Sequence, residues 1–196
     1  MSIIITHPGQ AHRDDFIACC LLLAAYSDIS MIIRREPTAV ELDNCRVFVV
    51  DVGGRDEPAN ANFDHHQLPR EHMPVCAITL VLRLLGYYCM ARKASPWLEV
   101  SEIADSKGPM AAARHVGVSN VGLFLQTMSP VEAWLLKLFE KSSIVGAGSV
   151  DLMRQMCRGY LDYLQRLGDR LDWLDRNARR FSLVPDDPSE AVHGVA

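Results

Sequence analysis

Hydrophobic positions in the first half of the chain fall into short uninterrupted runs separated by polar stretches. Ile3-Ile4-Ile5-Thr6 reads as a buried strand, a polar loop follows from His7 to Arg13, and residues 14–26 read as an apolar helix. A second strand is expected over residues 30–34 and a third over 46–52. The unbroken Val47-Phe48-Val49-Val50 is the composition of a strand covered on both faces. Gly53-Gly54 ends that run, and beyond the polar segment around Asp64 helices are expected over residues 75–90 and 96–104. Strand and helix alternating in this way predict an α/β fold with a doubly wound, mostly parallel sheet.

The second half reads as mostly helical. Ser129-Pro130-Val131-Glu132 combines a capping serine, a proline at the first helical position and an early glutamate, which together start a helix. Gly146-Ala147-Gly148-Ser149 breaks the chain before a long helix running to about residue 176. On it Met153, Cys157, Tyr160, Leu164, Leu167, Leu171 and Leu174 recur in alternating steps of four and three. Such a stripe either packs on its own domain or forms a homodimer contact through residues 151–176. The expected division is one domain over residues 1–180 and a flexible tail over 181–196, where Pro, Asp and Ser accumulate.

Composition narrows the classes. A chain of 196 residues that is 49% hydrophobic can bury a full core, as one domain with a helical extension. The formal charge of −4, without a long Lys/Arg run, argues against a nucleic-acid binder that works by net charge, although a local basic groove stays open. The longest apolar run, residues 16–26, is too short to span a bilayer, so no membrane partner is expected. The N-terminus lacks the positive flank and cleavage site of a signal peptide. Six cysteines without a C-x-x-C pair fit buried thiols in a cytoplasmic protein and speak against thiolate-bound zinc.

The candidate chemistry lies in two clusters. The first, His7-Pro8-Gly9-Gln10-Ala11-His12-Arg13-Asp14-Asp15, follows the first strand; the second is Phe63-Asp64-His65-His66-Gln67. Between them Asp51 ends the most apolar strand. In open α/β sheets, ligands gather beyond the carboxyl ends of the strands, where His7 and Asp51 are both placed. Individually, each residue has a plainer role. Asp14 or Asp15 could cap the following helix, Asp51 could serve the turn, His65-His66 could be solvated, and Asp105 could end a helix. Two His-Asp clusters at strand ends are harder to explain by caps and turns. Mixed imidazole and carboxylate ligands suit Mn²⁺, Fe²⁺ or Zn²⁺, the carboxylate share tilting toward Mn²⁺. More than four such groups suggest two ions bridged by one carboxylate.

Asp64-His65-His66 resembles the signature triplet of the DHH phosphoesterase superfamily. Thr6-His7, His12-Arg13-Asp14, Val50-Asp51-Val52-Gly53-Gly54 and Phe63-Asp64-His65-His66-Gln67 are more closely similar to the melanocyte-proliferating-gene protein family, described as metal-dependent hydrolases and exonucleases. Ile103-Ala104-Asp105 is similar to that family's fourth motif. The resemblance implies His7, His12 and Asp51 on one divalent ion and Asp14, Asp51, His65 and Asp105 on the other. It also implies that His66 faces the substrate and that Asp64 orients a ligand histidine. A hydroxide bridging the metals would then attack a phosphate ester of a nucleotide or short oligonucleotide, with Asp51 and His66 as the catalytic pair. Family members usually continue into a second domain that closes over the substrate and supplies basic residues. This chain ends too early for such a domain, which leaves substrate choice, water exclusion and the source of any substrate lid open. Arg13, Arg34, Arg35, Arg55, Arg70 and Lys107 lie near the motifs and are expected mostly as solvated surface charge. A metal-stabilised binding module without catalysis is the alternative; it would be expected to have lost ligands, and no ligand position is lost here.

Overall fold

In the computed structural model, residues 1–69, 71–119, 122 and 128–178 are described, together with the backbone of 180–183 and 192–195. Six strands form one sheet: β1 (Ser2–Thr6), β2 (Ile29–Arg34), β3 (Val47–Val50), β4 (Asp56–Glu57), β5 (Asn62–Phe63) and β6 (Ile144–Val145). Their order is β4-β5-β3-β1-β2-β6. The four inner strands run parallel, and the edges β4 and β6 pair antiparallel. The fold is therefore α/β with a mostly parallel sheet and a helical C-terminal part.

The alternation of side chains along a strand splits the core in two. Ile4, Phe48 and Val50 pack with α1 (Arg13–Ala25) on one face. Ile5, Val47, Val49 and Val52 pack with Ile3 and with Leu42 of the short α2 (Ala39–Leu42) on the other. Helix α1 is buried from Asp14 to Ala24, which explains why it reads as apolar on every side. α3 (Ala77–Leu84) and the long C-terminal helix cover it.

Three boundaries differ from the sequence expectation. The third strand stops at Val50, because Asp51 turns into the left-handed region at φ 57°. The helix expected over residues 75–90 is two, α3 and α4 (Tyr88–Ala94), parted at Gly86 with φ 76°. α5 (Pro96–Lys107) runs one turn further than expected and carries Asp105 inside its last turn. α6 (Pro109–Val116) follows directly.

α7 (Pro130–Lys141) starts where expected, with Ser129 Oγ accepting the Glu132 N–H at 3.1 Å. α8 (Ala147–Asn177) buries Met153, Cys157, Leu161 and Leu164 in the main core, each apolar side chain contributing roughly 1.5–3 kcal/mol of hydrophobic stabilisation. That stretch of the stripe is thus used within the chain; Leu171, Trp173 and Leu174 in the last turns are exposed. Residues 180–183 pair antiparallel with 192–195, so part of the segment 181–196 expected as a flexible tail is a strand pair, while 184–191 and 196 lie outside the described residues. Among the described residues no helix is long and apolar enough to cross a membrane.

Candidate metal centre

Strand register builds the site. Thr6 pairs with Val50 and Val50 with Phe63, so three parallel strands end on one level. The residues one step further are His7, Asp51 and Asp64-His65-His66, which the register sets side by side. α1 begins at the same rim and brings Asp14 and Asp15 in its first turn, and the end of α5 brings Asp105 from the far side.

Asp51 is the centre of the arrangement. Its left-handed backbone costs on the order of 1–3 kcal/mol and is followed by Gly53 at φ 93°, where an added Cβ would lie 2.8 Å from the Leu42 side chain. The two carboxylate oxygens face opposite ways. Oδ2 lies 3.6 Å from His7 Nε2, whereas Oδ1 lies 3.1 Å from His65 Nε2 and 3.7 Å from His66 Nδ1. His65 Nε2 is also 2.7 Å from Asp105 Oδ2 and 3.9 Å from Asp14 Oδ2. Potential ligand atoms gather within 4.8 Å of one another in three sets: His7, His12 and Asp51; Asp14, Asp51, His65 and Asp105; and Asp51, His65 and His66. Asp51 belongs to all three.

The hydrogen-bond pattern separates supporting groups from open ones. Asp64 is fully engaged: Oδ1 accepts from the His66 backbone N–H at 3.1 Å and sits 2.7 Å from His66 Nδ1, while Oδ2 accepts from the Gly54 N–H at 2.6 Å. Burial raises the Asp64 carboxyl, but these partners outweigh it and hold the group down at about 2. Asp64 therefore orients His66, whose ring is largely solvent-facing. By contrast His7 Nε2, Asp14 Oδ1, Asp15 Oδ2, both oxygens of Asp51, His65 Nε2 and Asp105 Oδ2 are buried atoms without a hydrogen-bond partner. The short His65–Asp105 approach lacks the directionality of a hydrogen bond. Buried polar atoms are normally satisfied, and converging acceptors of this kind leave room for cations.

Protonation follows the same logic. The Asp15 carboxylate beside His7 pushes its imidazole up to about 9 against the opposing effect of burial. Burial pulls His65 down, but Asp105 and Asp51 prevail and raise it to about 10. Asp14 is held well above the usual carboxylate range by burial and by the charges of Asp51, Asp105 and Asp15. Protons thus occupy these groups in the metal-free chain, and a divalent ion would displace them.

Two hollows of about 290 Å³ flank His66. One is lined by His65, Asp105, His72 and Met73, the other by His7, His12, Glu36 and Gly53. Among the described residues, none of the arginines near the motifs lines either one. Arg13 pairs with Glu132 at 2.5 Å and lies over Trp97, Arg35 pairs with Glu41, and Arg55 pairs with Asp43. Arg34, expected at the surface, is only 6% exposed. Lys107 is exposed, and Arg70 lies outside the described residues. The sequence reading missed Asp15 and Arg34 as parts of this centre. Asp15 was legible only as a helix cap, and no local signal marks Arg34.

Comparison with known proteins adds a family likeness over the same segment. Residues 3–80 match the model of an uncharacterised protein family (UPF0160), labelled MYG1 exonuclease. These residues hold every candidate site residue except Asp105. Over 64 residues the chain is 42% identical to the MYG1 exonuclease of Homo sapiens, a stretch covering 32% of this chain and 16% of the relative. It is also 42% identical over 64 residues to the MYG1 protein of Chlamydia muridarum (strain MoPn / Nigg), covering 22% of that protein. The matched segment therefore spans less than a quarter of the length of these relatives. No solved structure matches the chain significantly. Over its first 80 residues, where the metal-ligand candidates concentrate, this chain resembles the MYG1 proteins.

Proposed function

We propose that the chain is a two-metal phosphoesterase that hydrolyses a phosphate ester of a nucleotide or short oligonucleotide. The observation that carries the reading is Asp51, a buried, conformationally strained carboxylate whose two unpartnered oxygens face two separate ligand sets. His7, His12 and Asp51 would hold one ion, and Asp14, Asp51, His65 and Asp105 the other. The ions would be Mn²⁺, and Asp64-His65-His66 would be the signature triplet of the DHH superfamily. The name of the human relative, an exonuclease, is in keeping with it.

When bound, such a pair of ions supplies an activated water and neutralises charge on the attacking and leaving oxygens. The chain's own residues do the rest. Asp51, its carboxylate oxygens facing the two ligand sets, would be shared between the two ion positions. His66 stands between the two hollows, with Nδ1 tied to Asp64 and the rest of its ring toward solvent, placed to donate to a phosphoryl oxygen. Asp64 keeps that ring charged more readily, since its carboxylate raises the imidazole above its usual value.

The decisive measurement is Mn²⁺-dependent release of nucleotide from cyclic dinucleotides and short RNA and DNA oligomers, with bis-p-nitrophenyl phosphate as a generic ester. Turnover should fall by roughly three orders of magnitude or more in Asp51→Asn, because that variant loses a ligand shared by both positions. Two bound ions without turnover on any substrate would instead make the chain a metal-stabilised binding module.

A further inference from the structure

We infer that Asp15 and Arg34 form a buried positioning pair that fixes the His7–His12 loop, and with it the ligand geometry at the ion position formed by His7, His12 and Asp51. The inference rests on the two-metal reading above. Both first-position histidines sit at the ends of one short loop. Its residues Pro8, Gly9 and Gln10 are exposed, and Gly9 is in the left-handed region at φ 81°. A loop of this kind does not hold two ligands at a fixed spacing unaided.

Asp15 reaches both ends of the loop, bonded at one and in close charge contact at the other. Its Oδ1 accepts the His12 backbone N–H at 2.9 Å, as a helix-capping acid does. Capping needs one oxygen only and leaves the other to water. Here Asp15 is completely buried, and Oδ2 lies 3.2 Å from His7 Nε2 without a hydrogen-bond partner. His7 Nδ1 is 2.8 Å from the Pro8 carbonyl, which sets the ring plane from the opposite side.

Arg34 grips the middle. The sheet register pairs Arg34 with Thr6, one residue before His7. Its Nη2 donates to Gly9 O at 3.0 Å and lies 4.0 Å from Asp15 Oδ2. Nη1 donates to Glu140 O at 2.9 Å and Phe139 O at 3.4 Å, in the last turn of α7, and the guanidinium lies over the Phe139 ring. A fork that spans two carbonyl groups and a loop is a task for arginine rather than lysine. Its charge also offsets that of Asp15 in a buried region.

The test is Mn²⁺ binding to the full chain, followed by the electron-paramagnetic-resonance signal of free Mn²⁺ and by calorimetry, with steady-state kinetics on bis-p-nitrophenyl phosphate alongside. In Asp15→Asn one ion should keep its affinity within about twofold while the other weakens at least tenfold. kcat should drop at limiting Mn²⁺ and recover with excess Mn²⁺, with KM unchanged. Arg34→Lys, which keeps the charge and loses the fork, should shift the same ion in the same direction; it decides the matter if Asp15→Asn does not fold. Parent affinity at both positions in a folded variant, or equal weakening of both, overturns the inference. A parent chain that binds no Mn²⁺ overturns the two-metal reading and this inference with it. A parent that binds two ions without turnover removes only the catalytic proposal, and the affinity comparison still stands.

Discussion

The two ends of helix α1 bury polar groups in opposite fashion. At its C-terminal end, Arg154 of α8 donates from Nη1 to Leu23 O and to Tyr26 O at 3.0 Å, and from Nη2 to Ile29 O at 2.7 Å. There the last carbonyls of the helix and the first of β2 receive the donors that a helix end otherwise lacks. At its N-terminal end, Asp14, Asp15, Asp51, His65 and Asp105 are gathered, each with at least one buried polar atom that has no hydrogen-bond partner. Both arrangements belong to one core and one helix. The C-terminal end satisfies its carbonyls within the chain, whereas the N-terminal end gathers His and Asp groups that could hold metal ions.

Removing the satisfied cluster should have the largest effect on stability. Arg154→Leu leaves three carbonyls without their donor and should destabilise the fold by about 2–4 kcal/mol in urea unfolding. Mn²⁺ affinity of the folded fraction should not change. A variant that loses Mn²⁺ affinity while keeping its stability would mean that the two ends are not separable in function.

At the other end the sign reverses. Asp14→Asn removes a carboxyl whose ionisation burial and three neighbouring carboxylates oppose, and should stabilise the metal-free chain by about 1–2 kcal/mol while weakening Mn²⁺ binding. Because the folded-state value of Asp14 is raised, the parent carries no penalty below its ordinary value of 3.8 and loses stability as pH rises from there to the folded value. The advantage of the variant should therefore be absent at low pH, grow above 3.8 and then level off. A variant less stable than the parent near neutral pH would show that Asp14 is structural. With His7 held up at about 9 and His65 at about 10, Mn²⁺ binding at pH 7.5 should also release protons, read by calorimetry in buffers of different ionisation enthalpy. Affinity should rise with pH until these groups titrate.

The contrast also explains what could be read from the sequence. β1 and β3 were legible because runs such as Ile3-Ile4-Ile5 and Val47-Phe48-Val49-Val50 leave little choice, and the residue after each such strand falls on the rim of a parallel sheet. That placed His7 and Asp51, while His12, Asp14 and His65 lay in the two His-Asp clusters and were singled out there by the family resemblance. The short β4, β5 and β6, of two residues each, carry too little pattern to be seen. Arg34 was misplaced at the surface because its partners are carbonyls of Gly9 and of residues 139 and 140, and carbonyl positions leave no trace in residue identity. Arg154 was invisible for the same reason. Asp105 was named from its motif, but only the length of α5 shows that it reaches His65.

A half-buried counterpart gives the smallest effect and the sharpest check that burial, rather than charge pairing itself, sets these magnitudes. At α2, Glu41 is held by Arg35 at 2.7 Å and accepts from the Thr38 backbone N–H at 2.8 Å, while Thr38 Oγ1 accepts from the Glu41 N–H. These partners, led by Arg35, lower the Glu41 carboxyl from 4.5 to about 2. A lowered acid contributes stability above its unfolded value, here 4.5, and loses that contribution as pH falls through 4.5 toward 2. Every member of this cluster is satisfied, as at Arg154, but the group is open to water and its charges are screened. Glu41→Gln should therefore cost less than ~1 kcal/mol at pH 7, less still in 0.5 M salt and nothing near pH 2. It should leave both Mn²⁺ affinities untouched. A cost rivalling that of Arg154→Leu would show that pairing alone governs stability here, and the contrast between the ends of α1 would then need another cause.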